Sequence, residues 1–182
     1  MPVDPQIQVL LEIRAKLPPL HTLSVADARA QMAAREIPGL RKPEVGSVVN
    51  RDMQGPGGSL PLRVYAPKGD GPFPLMVFFH GSGFVVCDLD THDAMCRNLC
   101  AGANCVVVSV DYRLAPEHKF PAAPDDCLAA TRWVAQNAST LHGDAGRIFG
   151  SGIITSALPE TGFIRTRPRC GPRLWPGCLR RW

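Results

Sequence analysis

Leu75-Met76-Val77-Phe78-Phe79-His80-Gly81-Ser82-Gly83-Phe84 is an apolar run that ends in a histidine and a group of small residues. Successive side chains of a strand point to opposite faces, so an unbroken apolar run predicts a strand buried on both sides. Small residues directly after such a strand let the backbone approach a ligand. Unpaired N–H groups at that corner can be aimed at an oxyanion. Glycines after a strand also make ordinary tight turns, so this corner alone does not decide the chemistry.

Around this strand the chain alternates. Asp4-Pro5 starts one helix, which Pro18-Pro19 stops, and Ser24-x-x-Asp27 is a capping pair opening a second helix through Glu36. Val45–Met53 and Leu60–Ala66 are strand-like, with Gln54-Gly55-Pro56-Gly57-Gly58 as the hairpin turn between them. Thr91–Ala103 has helical spacing, and Cys105–Val110 is a β-branched run suited to a buried parallel strand. Ala123–Ser139 predicts a helix with Cys127, Leu128, Trp133 and Val134 among its buried candidates, and Arg147-Ile148-Phe149 starts another short strand. Strand, helix, strand, helix, strand implies an α/β fold with a parallel sheet.

The motif pair H-G-S-G-F-V-V-C-D-L-D-T-H-D from His80 and V-V-V-S-V-D-Y-R-L-A-P-E-H-K-F-P-A-A from Val106 resembles the bacterial hormone-sensitive-lipase-like esterases. These are α/β-hydrolases that cleave carboxylic esters. The resemblance covers about residues 1–152, roughly the first half of a typical member. It implies an incomplete α/β-hydrolase fold: a mostly parallel sheet with flanking helices and an N-terminal helical cap segment. The corresponding divisions are a cap segment at 1–44, the first half of the hydrolase core at 45–152, and an irregular Arg- and Pro-rich tail at 153–182. It further implies an oxyanion hole at Gly81, Ser82 and Gly83, with His80, Asp111, Tyr112, Arg113 and Glu117 in support. The chain departs from the family at Ser82 and Cys87, where glycine is usual. Either change keeps a backbone N–H, but non-glycine residues resist positive φ.

A hydrolase of this fold needs a Gly-x-Ser-x-Gly elbow after the strand at Ile148. Aligned on Arg147-Ile148 and Gly152, Ile154 occupies the nucleophile position and has no lone pair to give. Ser151 and Ser156 lack the flanking glycines of an elbow, and all five histidines precede residue 152. No catalytic residue is therefore assigned. The change after Gly152 to Arg, Pro, Gly, Cys and Trp reads as a truncated or frameshifted sequence, which the DNA beyond codon 152 in all three frames would test. The expectation is a carboxylic ester hydrolase by family, with a serine mechanism, in a chain that is itself inactive. The rivals are a non-catalytic binding or interaction protein and a non-functional truncation product.

The remaining features exclude more than they assign. Net charge is +4, but six arginines against Glu160 lie in residues 153–182, so the body is near neutral and lacks a nucleic-acid footprint. No apolar run reaches membrane-spanning length, which predicts a cytoplasmic protein. Seven cysteines without framework spacing suit free thiols. Cys87, His92, Cys96, Cys100 and Cys105 cluster in sequence without zinc-site spacing, so neither a metal nor another cofactor is expected. The partners expected are a small-molecule ester, in intact relatives, and further copies of the chain by self-association.

Overall fold

The computed structural model describes residues 3–35, 41–81 and 83–152. Ser82, Ile154, Ser156 and the whole 153–182 segment therefore lie outside the described residues.

Strands β1 (Ser47–Gly55) and β2 (Gly58–Ala66) form the expected hairpin, in a register that runs from Ser47 opposite Ala66 to Gly55 opposite Gly58. Strands β3 (Phe73–Phe79), β4 (Val106–Val110) and β5 (Gly143–Gly152) complete a mixed sheet in the order β1-β2-β4-β3-β5. β2 runs antiparallel to β1 and β4, whereas β3 is parallel to both β4 and β5. Helix α3 (Asp93–Ala103) carries the chain from β3 to β4. Helix α4 (Ala122–Gln136) and a 3₁₀ turn (Ala138–Leu141) carry it from β4 across to β5.

The apolar run of β3 is explained by helices on both faces of the sheet. Leu75, Val77 and Phe79 join Val106, Val108 and Val110 against Cys127, Ala130 and Val134 of α4. Met76 and Phe78 point the other way and join Val107 against Cys96 and Cys100 of α3. Every residue of β4 is buried, as a strand between two helical layers must be. Of the candidates on α4, Cys127 and Val134 are fully buried, while Leu128 and Trp133 are half-buried.

Two N-terminal helices precede the hairpin. Helix α1 (Pro5–Ala15) ends before Pro18-Pro19. Helix α2 (Val25–Ala33) opens on Ser24, whose hydroxyl accepts the Asp27 N–H at 3.1 Å. It ends at Ala33, short of the expected Glu36, where the chain tightens and the Arg35 N–H donates to the Met32 carbonyl only three residues back.

β5 differs most from expectation. It is ten residues long rather than a short start at Arg147, and its pairing with β3 is irregular between Phe73 and Leu75. At its far end Gly152 has φ +149°, and a β-carbon there would collide with the Phe79 carbonyl. Only glycine allows the two strand ends to come this close. Gly152→Ala should therefore lower stability by about 2 kcal/mol or more, read as a shift of the urea midpoint. An unshifted midpoint would mean that β5 can move off β3 without loss.

Candidate active site

β3 delivers its chain end to His80, which is completely buried. The Tyr112 hydroxyl donates to the His80 carbonyl, and the two rings stack with centroids 4.4 Å apart. A phenol has one proton, so at 3.3 Å from Nδ1 its oxygen can only accept. Nδ1 thus carries the imidazole proton, and Nε2 keeps a buried lone pair with no partner among the described residues. Burial, and then the His92 ring 5.5 Å away, lowers the His80 pKa to about 4, against a small opposing pull from Asp88. At neutral pH the ring is uncharged and serves to fix the corner.

This gives a pH prediction. An unfolded histidine titrates near 6.5, so below that pH the unfolded chain takes up a proton that the folded His80 refuses. Stability from this group is full above about pH 6.5 and is lost as pH falls toward 4. His80→Gln should flatten that part of a plot of unfolding free energy against pH. An unchanged slope would show that the folded His80 takes up its proton as readily as the unfolded chain does.

The loop after His80 takes unusual backbone angles. Gly83 has φ +55°, with open space where a β-carbon would stand. Phe84 (φ 64°) and Cys87 (φ 71°) are non-glycine residues in the same left-handed region. Cys87 is thus strained at the position where the esterases it resembles usually have glycine. External bonds hold this loop. The Ala115 N–H donates to the Phe84 carbonyl at 2.8 Å, and Arg29 Nε of α2 donates to the Val85 carbonyl at 2.8 Å. Downstream, one Asp88 carboxylate oxygen accepts the N–H groups of Asp90 and Thr91, turning the chain into α3.

The Asp111–Glu117 segment supports this corner from beneath. Arg113 forks onto Asp126 of α4, with Nε 2.8 Å from Oδ2 and Nη2 2.9 Å from Oδ1, and its N–H also donates to Oδ2 at 3.0 Å. Asp126 is almost wholly buried. The hairpin tip packs on the same guanidinium, where a β-carbon on Gly57 would collide with it. Glu117 receives Arg29 in a second fork at 2.8 and 2.7 Å, and that hydrogen bonding draws its pKa to about 2. The Asp111 carboxyl is half-buried, and burial together with Asp88 and Asp90 raises its pKa.

The cysteines belong to the core. Cys96, Cys100 and Cys105 pack with Tyr65, Met76 and Phe78, and burial pushes the thiols of Cys96 and Cys100 up to about 12 and about 11. No group of three metal-binding side chains occurs among the described residues. Asp93, in the first turn of α3, is buried and accepts from Tyr65 Oη at 3.2 Å and Arg97 Nε at 3.0 Å.

A cavity of about 1070 Å³ opens outside the carboxyl ends of β3 and β5, where open α/β sheets bind their ligands. Phe78, Phe79 and Gly81 line it from β3, and Ser151 and Gly152 from β5. Cys87, His92 and Met95 close one side, and Met32 and Arg35 reach it from the α2 region. The corner that the motif marks and the end of the strand expected to lead into an elbow thus face one space.

A family model described as an alpha/beta hydrolase fold matches residues 76–153. The esterase LipI of Mycobacterium tuberculosis is 41% identical over 155 residues, which is 82% of this chain and 47% of that protein. The structure of a hyperthermophilic esterase from the archaeon Pyrobaculum calidifontis superposes with a TM-score of 0.77 at 39% identity, covering 84% of this chain and 50% of that one. The described residues carry part of an α/β-hydrolase fold. An ester-hydrolase from the Lake Arreo metagenome, solved with a derivative of bipyridine phosphonate, is similar at 37% identity and a TM-score of 0.73. The chain spans about half the length of the curated relatives it matches.

The sequence singled out residues on β3 and after β4, and the structure brings His80, Gly81 and Tyr112 together. Gly81 faces the cavity, Gly83 lies in the exposed loop beyond it, and Ser82 is outside the described residues, as is Ile154, which the sequence reading set at the nucleophile position. Arg29 and Asp126 were not legible as site residues. Each acts through a partner distant in sequence, Arg29 with Glu117 and Asp126 with Arg113. The motif contains one half of each pair and carries no signal for the other. No helix among the described residues is long and apolar enough to cross a membrane.

Proposed function

We propose that residues 45–152 are the oxyanion and support half of a serine-type carboxylic ester hydrolase site, with residues 1–44 covering it. On this reading the 182-residue chain does not complete the reaction. The observation that carries the proposal is the cavity shared by Gly81 at the end of β3 and Gly152 at the end of β5. In the full reaction a serine oxygen attacks the ester carbonyl carbon, while an imidazole takes the hydroxyl proton and returns it to the departing alcohol. Backbone N–H groups at Gly81, Ser82 and Gly83 hold the negative oxygen of the tetrahedral intermediate, at about 3 kcal/mol for each donor. Water then attacks the acyl-serine and releases the acid. The nucleophile, the imidazole and its acid must come from sequence other than residues 1–152.

Replacing residues 153–182 by the corresponding downstream half of LipI tests this reading. The chimera should hydrolyse p-nitrophenyl butyrate and take a fluorophosphonate label. A folded chimera that does neither, beside active LipI, would end the proposal.

The sheet edge carries a second expectation. β5 has no strand partner on its outer side among the described residues, and Phe149 on it is exposed. Unpaired edges and uncovered apolar surface favour association. The purified chain should elute above monomer size and bind a hydrophobic dye, and Phe149→Lys should reduce both. A monodisperse monomer with one sharp thermal transition would show that this edge is covered.

A further inference from the structure

Arg29 is joined to two segments that are far from it and from each other in sequence. Its Nε donates to the Val85 carbonyl at 2.8 Å, in the strained loop after the oxyanion corner. Its Nη2 donates to the Ala115 carbonyl at 3.1 Å, and both Nη atoms grip Glu117 at 2.7–2.8 Å. The two segments are themselves tied by the bond from the Ala115 N–H to the Phe84 carbonyl. One planar guanidinium therefore satisfies acceptors on both sides of a single seam, which the point charge of a lysine cannot do.

The loop on one side of that seam needs outside support, since Gly83, Phe84 and Cys87 all have positive φ and two of them carry side chains. On the other side, α2 carries Met32, one helical turn beyond Arg29, and Met32 reaches the cavity. We propose that Arg29 is a positioning residue that locks the loop at 83–87 to the Glu117 corner and fixes α2 over the cavity. This rests on the ester-hydrolase reading for its purpose, though not for its geometry. α2 is then part of the frame that sets the oxyanion corner, and it cannot swing away without releasing that corner.

Hydrogen exchange on the full 182-residue chain reads this directly. The Asp88 and Ala115 amides are hydrogen-bonded beside the seam, to Thr91 Oγ1 and the Phe84 carbonyl, while the amides of β4 report the core. Arg29→Gln should speed exchange at Asp88, Ala115 and along α2 by tenfold or more and leave β4 unchanged. Arg29→Lys keeps the charge facing Glu117 but loses the fork, so it should rescue only part of the protection. Glu117→Gln, a change at an exposed side chain, should give the same local pattern more weakly. Unchanged exchange at Asp88 and Ala115 in Arg29→Gln overturns the proposal, and so does full rescue by lysine. If Arg29→Gln loosens β4 as well, Glu117→Gln decides, and an absence of local change there counts against the lock. An inactive LipI chimera would remove the ester reading and leave this outcome untouched.

Discussion

The purified 182-residue chain is expected to leave p-nitrophenyl acetate and butyrate at the rate of a buffer blank. On the proposed reading Ile154 takes the place of the attacking hydroxyl, and no histidine follows it within these 182 residues. His80 does not substitute for the missing base. Its imidazole is buried and stacked on Tyr112, its pKa is near 4, and its lone pair meets no hydroxyl among the described residues. Sites stripped of their triad keep about 10³-fold over water through binding and the oxyanion donors, but only when those are intact. Ile154→Ser by itself should therefore restore no more than a trace, because nothing then removes the serine proton. Turnover in the unmodified chain that a fluorophosphonate abolishes, with a labelled peptide to match, would overturn this expectation.

The largest stability effect is expected at Arg113. Its guanidinium holds the Asp126 carboxylate, which is 1% exposed. Arg113→Ala leaves that charge buried without its counterion. Breaking a buried pair on one side costs about 3–5 kcal/mol, or roughly 10 °C or more of melting temperature in a domain of this size. Replacing both partners with apolar residues, Arg113→Met with Asp126→Leu, should recover most of the loss. Recovery stays incomplete because the Arg113 N–H also donates to Asp126 and would lose its acceptor. A single Arg113→Ala variant that melts within about 0.5 kcal/mol of the parent would show that water reaches Asp126.

Both expectations separate what the sequence states from what it leaves open. The corner after β3 was legible because it is local, an apolar strand followed directly by small residues. The supporting role of Tyr112, Arg113 and Glu117 came from a resemblance, and only the fold supplies the partners through which they act. Tyr112 reaches across to His80, Arg113 to α4, and Glu117 to α2. The zinc-like grouping of cysteines and histidine shows the converse. Residues close in sequence on α3 separate in space, because Cys96 and Cys100 face the sheet while His92 borders the cavity.

By itself the sequence determined the hairpin, the two doubly buried strands, the helices between them and the position of the corner. Each of these follows from side-chain periodicity, caps and turn residues within a few positions of one another. Tertiary structure decided the length of β5, whose segment from Gly143 to Gly146 has no apolar alternation: Gly143 pairs with Phe73 of β3, and regular pairing resumes only at Ile148 opposite Leu75. It decided the strand order that sets β5 beside β3 and so opens the cavity between their ends. It also decided the choice of Arg29 among the N-terminal arginines, since a bond spanning 88 residues leaves no period or spacing in the chain to betray it. Local patterns report local geometry, whereas contacts across the sheet depend on the order in which its strands assemble.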